Sequence, residues 1–196
     1  MSEQDINDTK LDAAFHAAKK APQLKAVDVL GNKVSFKDYD QDYILLVFLR
    51  YSGCPWCNLA IHRLSIEYPH LEEYSCQVIA LVQSDKENIL HNIYDRHEVK
   101  PPFPIIADPA MKQYKQYAVD ISILGTARSL TKIPYWVQSV KKHGFKQKKI
   151  DGNIFLVPAW FLINNRTGKI IKSERGVSFY NHESFIKIYD SLIFKD

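Results

Sequence analysis

Apolar and polar positions alternate along the chain with two different periods, and the switches between them mark out strands and helices. Leu11, Ala14, Phe15 and Ala18 fall on one side of a short amphipathic helix over residues 9–20, which Pro22 ends. LKAVDVLGNKVSF carries two short apolar runs around Gly31 and Asn32 and predicts a hairpin. Residues 43–50, YILLVFLR, are almost continuously apolar, as in a strand covered on both faces. Leu59, Ile61, Leu64, Ile66 and Leu71 then recur at helical spacing up to about Tyr74. A second buried strand follows in CQVIALVQ, residues 76–83. Ser84, with Glu87 three residues on, predicts a capping box that opens a helix over 85–97. PPFP leads into a short strand at PIIAD, and Asp108–Pro109 opens a further helix through Tyr117.

Residues 118–153 lose this regularity. SLTKIPYWVQSVKKHGF reads as a helix with loop-like ends, inside an insertion whose Tyr135, Trp136 and lysines could line a groove. Order returns with IFLVPAWFLI, a tight turn at NNRTG, and KIIKSER, an antiparallel hairpin. HESFIKIYDSLI closes the pattern as an amphipathic helix.

Hairpin, strand, helix, strand, helix, strand, helix, insertion, hairpin and helix is the order of an α/β protein. Right-handed crossovers make the first strands parallel, and the terminal hairpin makes the sheet mixed. The expected organisation is one domain over residues 22–196, preceded by an N-terminal helical extension at 1–21. A chain of 196 residues can bury a core of its own. A hydrophobic fraction of 46% and a charged fraction of 24% are those of a globular protein and exclude global disorder.

Charge adds one local feature. The net +4 is concentrated in KKHGFKQKK, residues 141–149, a basic stretch with no accompanying nucleic-acid motif. The polar N-terminus lacks the apolar core of a secretory signal, and the longest apolar run, ILLVFL, is too short to span a bilayer. The expectation is therefore a cytoplasmic protein with neither a membrane nor a nucleic acid as partner.

In a reducing compartment, three cysteines are poor material for structural disulfides. Two of them nevertheless stand three apart in SGCPWC, where the first buried strand turns into a helix. Pro55 fits the first helical position, Cys54 the cap, and Cys57 the same face one turn on, within disulfide reach. The helix N-terminus favours a thiolate at Cys54. Arg50, at the strand end, adds positive potential if its side chain turns inward. Trp56, between the sulfurs, is placed to be exposed and to meet a partner or cover the helix start.

Two other readings compete with a redox dithiol. A metal site has only His62, His70 and Cys76 to draw on and lacks a second Cys-x-x-Cys or Cys–His pair, so no metal or other cofactor is expected. Two inert core thiols remain possible, and Cys76, within an apolar strand, is read as one such. Val157–Pro158 before the strand AWFLI suggests a cis peptide that brings backbone groups near the sulfurs.

Together these pieces resemble a thioredoxin-like fold and, more closely, the peroxiredoxin-like branch of the alkyl hydroperoxide reductase and thiol-specific antioxidant (AhpC/TSA) family. The resemblance is carried by AP at 21–22, VLGNKVSFKDY, LVFLRYSGCPWCN, FPIIADP with YKQYAV, and VPAWFLINNRTGKI, with Pro158 at the family's proline before the penultimate strand. On the peroxiredoxin pattern Pro-x-x-x-Thr/Ser-x-x-Cys, Cys57 matches the peroxidatic cysteine, Cys54 the Thr/Ser and Arg50 the Pro, so both pocket-shaping residues are replaced. Arg128 and Arg175 are the positional candidates for the family's pocket arginine.

The resemblance implies a thiol-dependent oxidoreductase that reduces disulfides or hydroperoxides and is itself re-reduced by an external thiol of the thioredoxin or glutathione type. Helix geometry makes Cys54 the nucleophile and Cys57 the resolving residue; the family pattern reverses the roles. A thioredoxin-fold binding protein without turnover is the alternative from another class.

Overall fold

The computed structural model describes residues 20–119, 137, 140–175 and 183–193, with the side chains of 183 and 184 left aside. The expected helix over 9–20 therefore lies outside the described residues apart from Lys20, as do Arg128, Tyr135 and Trp136.

Among the described residues, seven strands and four α-helices have defined bounds. β1 (Lys25–Val27) and β2 (Lys33–Ser35) form the expected hairpin, a two-stranded antiparallel sheet. Its turn is organised by Asp28, whose carboxylate accepts the Leu30 and Asn32 amides at 2.9 and 2.8 Å. Gly31 supplies the φ of +99° that the turn requires.

The main sheet has the order β5-β4-β3-β6-β7. β3 (Tyr43–Leu49) and β4 (Cys76–Val82) run parallel and are buried at all seven positions each. β5 (Ile105–Ala107) extends the parallel side. β6 (Ala159–Asn164) lies antiparallel to β3, and β7 (Lys169–Arg175) antiparallel to β6. The mixed sheet is the one anticipated.

Alternation along β3 assigns its side chains to two cores. Leu45, Val47 and Leu49 face α1 (Pro55–Glu73) and α4 (Glu183–Ile193), meeting Ala60, Ile61, Leu64, Phe185 and Ile188. Ile44, Leu46 and Phe48 face the hairpin and α3 (Lys112–Gln116), meeting Val34, Phe36 and Tyr114.

Three local expectations change. The helix after β4 is α only over Lys86–Ile89 (α2) and continues as a π-turn over Leu90–Tyr94, with the Asp95 amide donating to the Leu90 carbonyl at 3.0 Å. Its cap is Asp85 rather than Ser84, because the Ser84 hydroxyl is committed to partners distant in sequence. α3 begins at Lys112 rather than at Asp108–Pro109; Met111 takes a left-handed φ of +54°, and the Asp108 carboxylate caps the Lys112 and Gln113 amides at 2.9 and 2.7 Å.

Within the expected insertion, Val137 and residues 140–143 are helical, and residues 144–153 follow as a non-regular segment across the sheet's end. No helix among the described residues is long and apolar enough to cross a membrane.

Candidate active site

β3 and β4 both end at the same edge of the sheet, the edge at which α/β folds gather their functional loops. The Gln83 amide donates to the Arg50 carbonyl at 2.7 Å, extending the β3–β4 ladder one step. The loop 50–54 then turns, with the Cys54 amide donating to the Tyr51 carbonyl at 3.1 Å. Cys54 is the N-cap of α1 and Pro55 opens the helix, as the spacing requires.

Cys54 and Cys57 are both free thiols, 1% and 2% exposed. Neither sulfur is open to water, and residues 147–149 roof the loop. The Lys148 amide donates to the Gly53 carbonyl at 3.0 Å, and a Cβ on Gly53 would stand 2.6 Å from the Lys149 carbonyl oxygen.

The two thiols differ sharply in acidity. Burial alone raises the Cys54 pKa, but a hydrogen bond from the Cys57 thiol, the Arg50 charge and the amides of Cys57 and Trp56 outweigh it and bring Cys54 down to about 6. Burial, and then the Cys54 sulfur itself, push Cys57 well above the ordinary thiol range. The pair thus shares one proton, held by Cys57. Burial raises Cys76 to about 12, in keeping with an unreactive core thiol.

Arg50 is turned inward, 6% exposed, with its guanidinium 5.3 Å from the Trp56 ring centre and Nη1 donating to the Ile154 carbonyl at 3.3 Å. Trp56 is half-buried against the core rather than fully exposed. Pro158 precedes β6, whose first residue pairs with Phe48, so it lies at the sheet edge shared with the cysteine loop. Its peptide bond is not cis: the described residues contain no cis peptide. Since β6 starts one residue later, the missing N–H breaks no ladder bond and a trans proline is accommodated. Arg175 closes β7 and donates to the Ala118 carbonyl at 2.5 Å.

Several residues that sequence reasoning did not single out fix the loop from below. Asn58 Nδ2 donates to the Ser52 and Cys54 carbonyls at 2.6 and 3.0 Å, while its Oδ1 lies 2.8 Å from His97 Nε2. Asn92 Nδ2 reaches Ser52 Oγ at 3.1 Å. The Ser52 amide donates to Ser84 Oγ at 2.9 Å, and that hydroxyl donates to Asp151 Oδ1 at 2.9 Å. The π-turn has a visible role here: Asn92 lies within it and bonds the cysteine loop at Ser52, and His97, shortly after, supports that loop through Asn58.

Burial, followed by the charges of His62 and Arg96, lowers His97 to about 3, so it is a neutral imidazole. Phe145 stacks on His97 at 4.4 Å and anchors the roofing segment. Among the described residues, no group of three or more His, Cys, Asp or Glu side chains could hold a metal ion.

A family model, the AhpC/TSA family, matches residues 17–168. Among curated proteins, the thiol-disulfide oxidoreductase ResA from Bacillus thuringiensis subsp. konkukian is 26% identical over 101 residues, 52% of this chain and 57% of that protein. The chain thus spans little more than half the length of that relative. Among solved structures, peroxidoxin BcpB from Mycobacterium tuberculosis superposes with a TM-score of 0.66 at 11% identity, covering 92% of this chain and 98% of the other. A yeast mitochondrial 1-Cys peroxiredoxin, resolved through glutathione/thioredoxin systems, gives a TM-score of 0.63 at 20% identity, covering 92% and 77%. These likenesses show a thioredoxin-like fold of the peroxiredoxin kind.

Proposed function

The chain belongs to the AhpC/TSA family, and within that family we propose that it is a thiol-disulfide oxidoreductase with Cys54 as nucleophile and Cys57 as resolving thiol. The observation that carries this reading is the placement of Cys54 at the N-cap of α1 with Cys57 in its first turn and Arg50 turned inward beside them, an arrangement that lowers Cys54 and raises Cys57. A sulfur with a pKa of about 6 is mostly thiolate at neutral pH, whereas one raised well above the ordinary range is almost entirely protonated.

The Cys54 thiolate attacks one sulfur of a substrate disulfide. A mixed disulfide forms and the other substrate sulfur leaves as a thiolate, which takes up a proton. Once Cys54 no longer bears negative charge, the influence holding the Cys57 proton weakens. Cys57 gives up that proton and attacks Cys54 Sγ; the Cys54–Cys57 disulfide closes and the second substrate sulfur departs. Two electrons pass to the substrate. An external thiol of the glutathione or thioredoxin class returns them, a donor type consistent with the systems that serve the yeast relative.

Arg50 and the first-turn amides hold the Cys54 anion, and Pro55 leaves that turn without a wasted donor. Trp56 lies in the first turn of α1, and Pro158 at the same sheet edge as the cysteine loop. Because residues 147–149 roof Gly53, attack requires that segment to yield to the incoming disulfide.

The test is single-turnover kinetics of Cys54→Ser and Cys57→Ser against a model disulfide and against hydrogen peroxide. Cys57→Ser should attack the disulfide rapidly and stop at a trapped mixed adduct. Cys54→Ser should be slower by about 100-fold or more, set by the small thiolate fraction of a high-pKa thiol. If Cys54→Ser instead consumes peroxide as fast as the unmodified protein does, Cys57 is the nucleophile and the roles reverse. If neither cysteine affects either reaction, the fold serves binding alone.

A further inference from the structure

The segment that roofs the cysteine loop is also the most basic stretch of the chain. Lys141, Lys142, Lys146, Lys148 and Lys149 are all exposed. Its single acidic residue, Asp151, faces inward, accepting from Ser84 Oγ at 2.9 Å and from Asn88 Nδ2 at 2.8 Å. The backbone is pinned at several points: Arg96 donates to the Gly144 carbonyl at 3.1 Å, the Lys148 amide to Gly53 at 3.0 Å, and the Asn153 amide to Gln83 Oε1 at 2.7 Å. The lysines therefore project from a fixed ribbon rather than from a loose tail.

The same ribbon leaves large apolar side chains in water. Ile150 is 56% exposed, Ile154 40% and Phe155 41%. Ile154 is joined directly to the site, its carbonyl receiving the Arg50 guanidinium that supports Cys54. Basic and apolar surface thus lie side by side, against Arg50, four residues before the nucleophilic cysteine.

We propose that this ribbon, residues 141–155, is the docking surface for an acidic protein partner that presents carboxylates, with an apolar side chain among them, around its own disulfide. The inference rests on the thiol-disulfide reading above and supplies its substrate class. Charge complementarity steers encounter and sets register, while a central apolar contact excludes water from the exchange. A polyanion without a disulfide would gain the electrostatic attraction but offer nothing for the dithiol to act on, which favours a polypeptide over a nucleic acid.

Three synthetic peptides test it, each closed by one intramolecular disulfide flanked by glutamates, serines or lysines, with the reduced full chain in single turnover. The glutamate peptide should be reduced about tenfold faster than the lysine peptide at low ionic strength, and the gap should close in high salt as screening shortens the reach of the charges. The triple variant Lys141→Glu/Lys142→Glu/Lys146→Glu should bring the glutamate-to-lysine ratio to one or below. Equal rates for all three peptides in the unmodified protein would overturn the docking assignment while leaving the dithiol chemistry standing. A second arm uses the glutamate peptide with its cysteines replaced by serine, followed by fluorescence anisotropy. Salt-sensitive binding there without reduction of any peptide supports the surface and rejects the chemistry. Displacement of that peptide by a single-stranded oligonucleotide of matched charge at lower concentration would overturn the assignment to a protein.

Discussion

His97 Nε2 and Asn58 Oδ1 lie 2.8 Å apart beneath the loop that carries Cys54. With His97 neutral, Nε2 donates and Asn58 is fixed with its amide nitrogen toward the Ser52 and Cys54 carbonyls. Asn58→Leu leaves His97 and a buried carbonyl without partners. Each unmade bond costs about 1–3 kcal/mol, so chemical denaturation should show a loss of about 3 kcal/mol, together with slower attack by Cys54.

The same imidazole gives the fold an acid limit. His97 is lowered to about 3, and burial lowers His62 and His143 as well. The unfolded chain takes up protons at these sites near the ordinary histidine value of about 6.5 while the folded chain resists, so stability falls as pH drops from there toward 3. His97→Gln, which keeps a donor for Asn58, should flatten the dependence of unfolding free energy on pH across that window.

The positive charge of Arg50 lowers Cys54. Arg50→Met removes it and should move the first midpoint of a thiolate-absorbance titration upward from about 6 by about one pH unit. Arg50→Lys should recover part of that, since the charge returns without the planar stacking on Trp56. An unmoved midpoint in Arg50→Met would assign the anion's stability to the helix amides and Cys57 alone.

Gly53→Ala separates cover from chemistry. Its Cβ would meet the Lys149 carbonyl oxygen at 2.6 Å and Lys148 Cβ at 3.1 Å, so the roofing segment must shift. Bulky thiol reagents should label Cys54 at least about fivefold faster, at a stability cost of about 1–3 kcal/mol from the forced contact. If labelling is unchanged, the roof is not what limits access.

Much of the fold could be read from local pattern. β3 and β4 were visible as unbroken apolar runs because a parallel strand with both faces covered admits no polar alternation, and the hairpin at Gly31 was visible because only glycine takes its φ of +99° readily. The spacing of Cys54, Pro55 and Cys57 led directly to the helix mouth. What stayed hidden depends on contacts between distant segments. Asn58 and His97 are 39 residues apart and look individually unremarkable. Ser84 matched a capping box by its neighbours, yet a tertiary pairing with Ser52 and Asp151 took the hydroxyl instead. The roof over Gly53 comes from a segment whose composition shows only a basic stretch.

Cys54 and Cys57 belong to the same apolar cluster as Leu49, Ala60 and Ile61. Closing an S–S bond would replace a buried anion and its hydrogen-bonded thiol with a neutral link inside that cluster. Gaining electrons and staying folded are then two legs of one thermodynamic cycle, and a substitution that merely repacks Leu49 or Ala60 will change how tightly this chain holds its reducing equivalents.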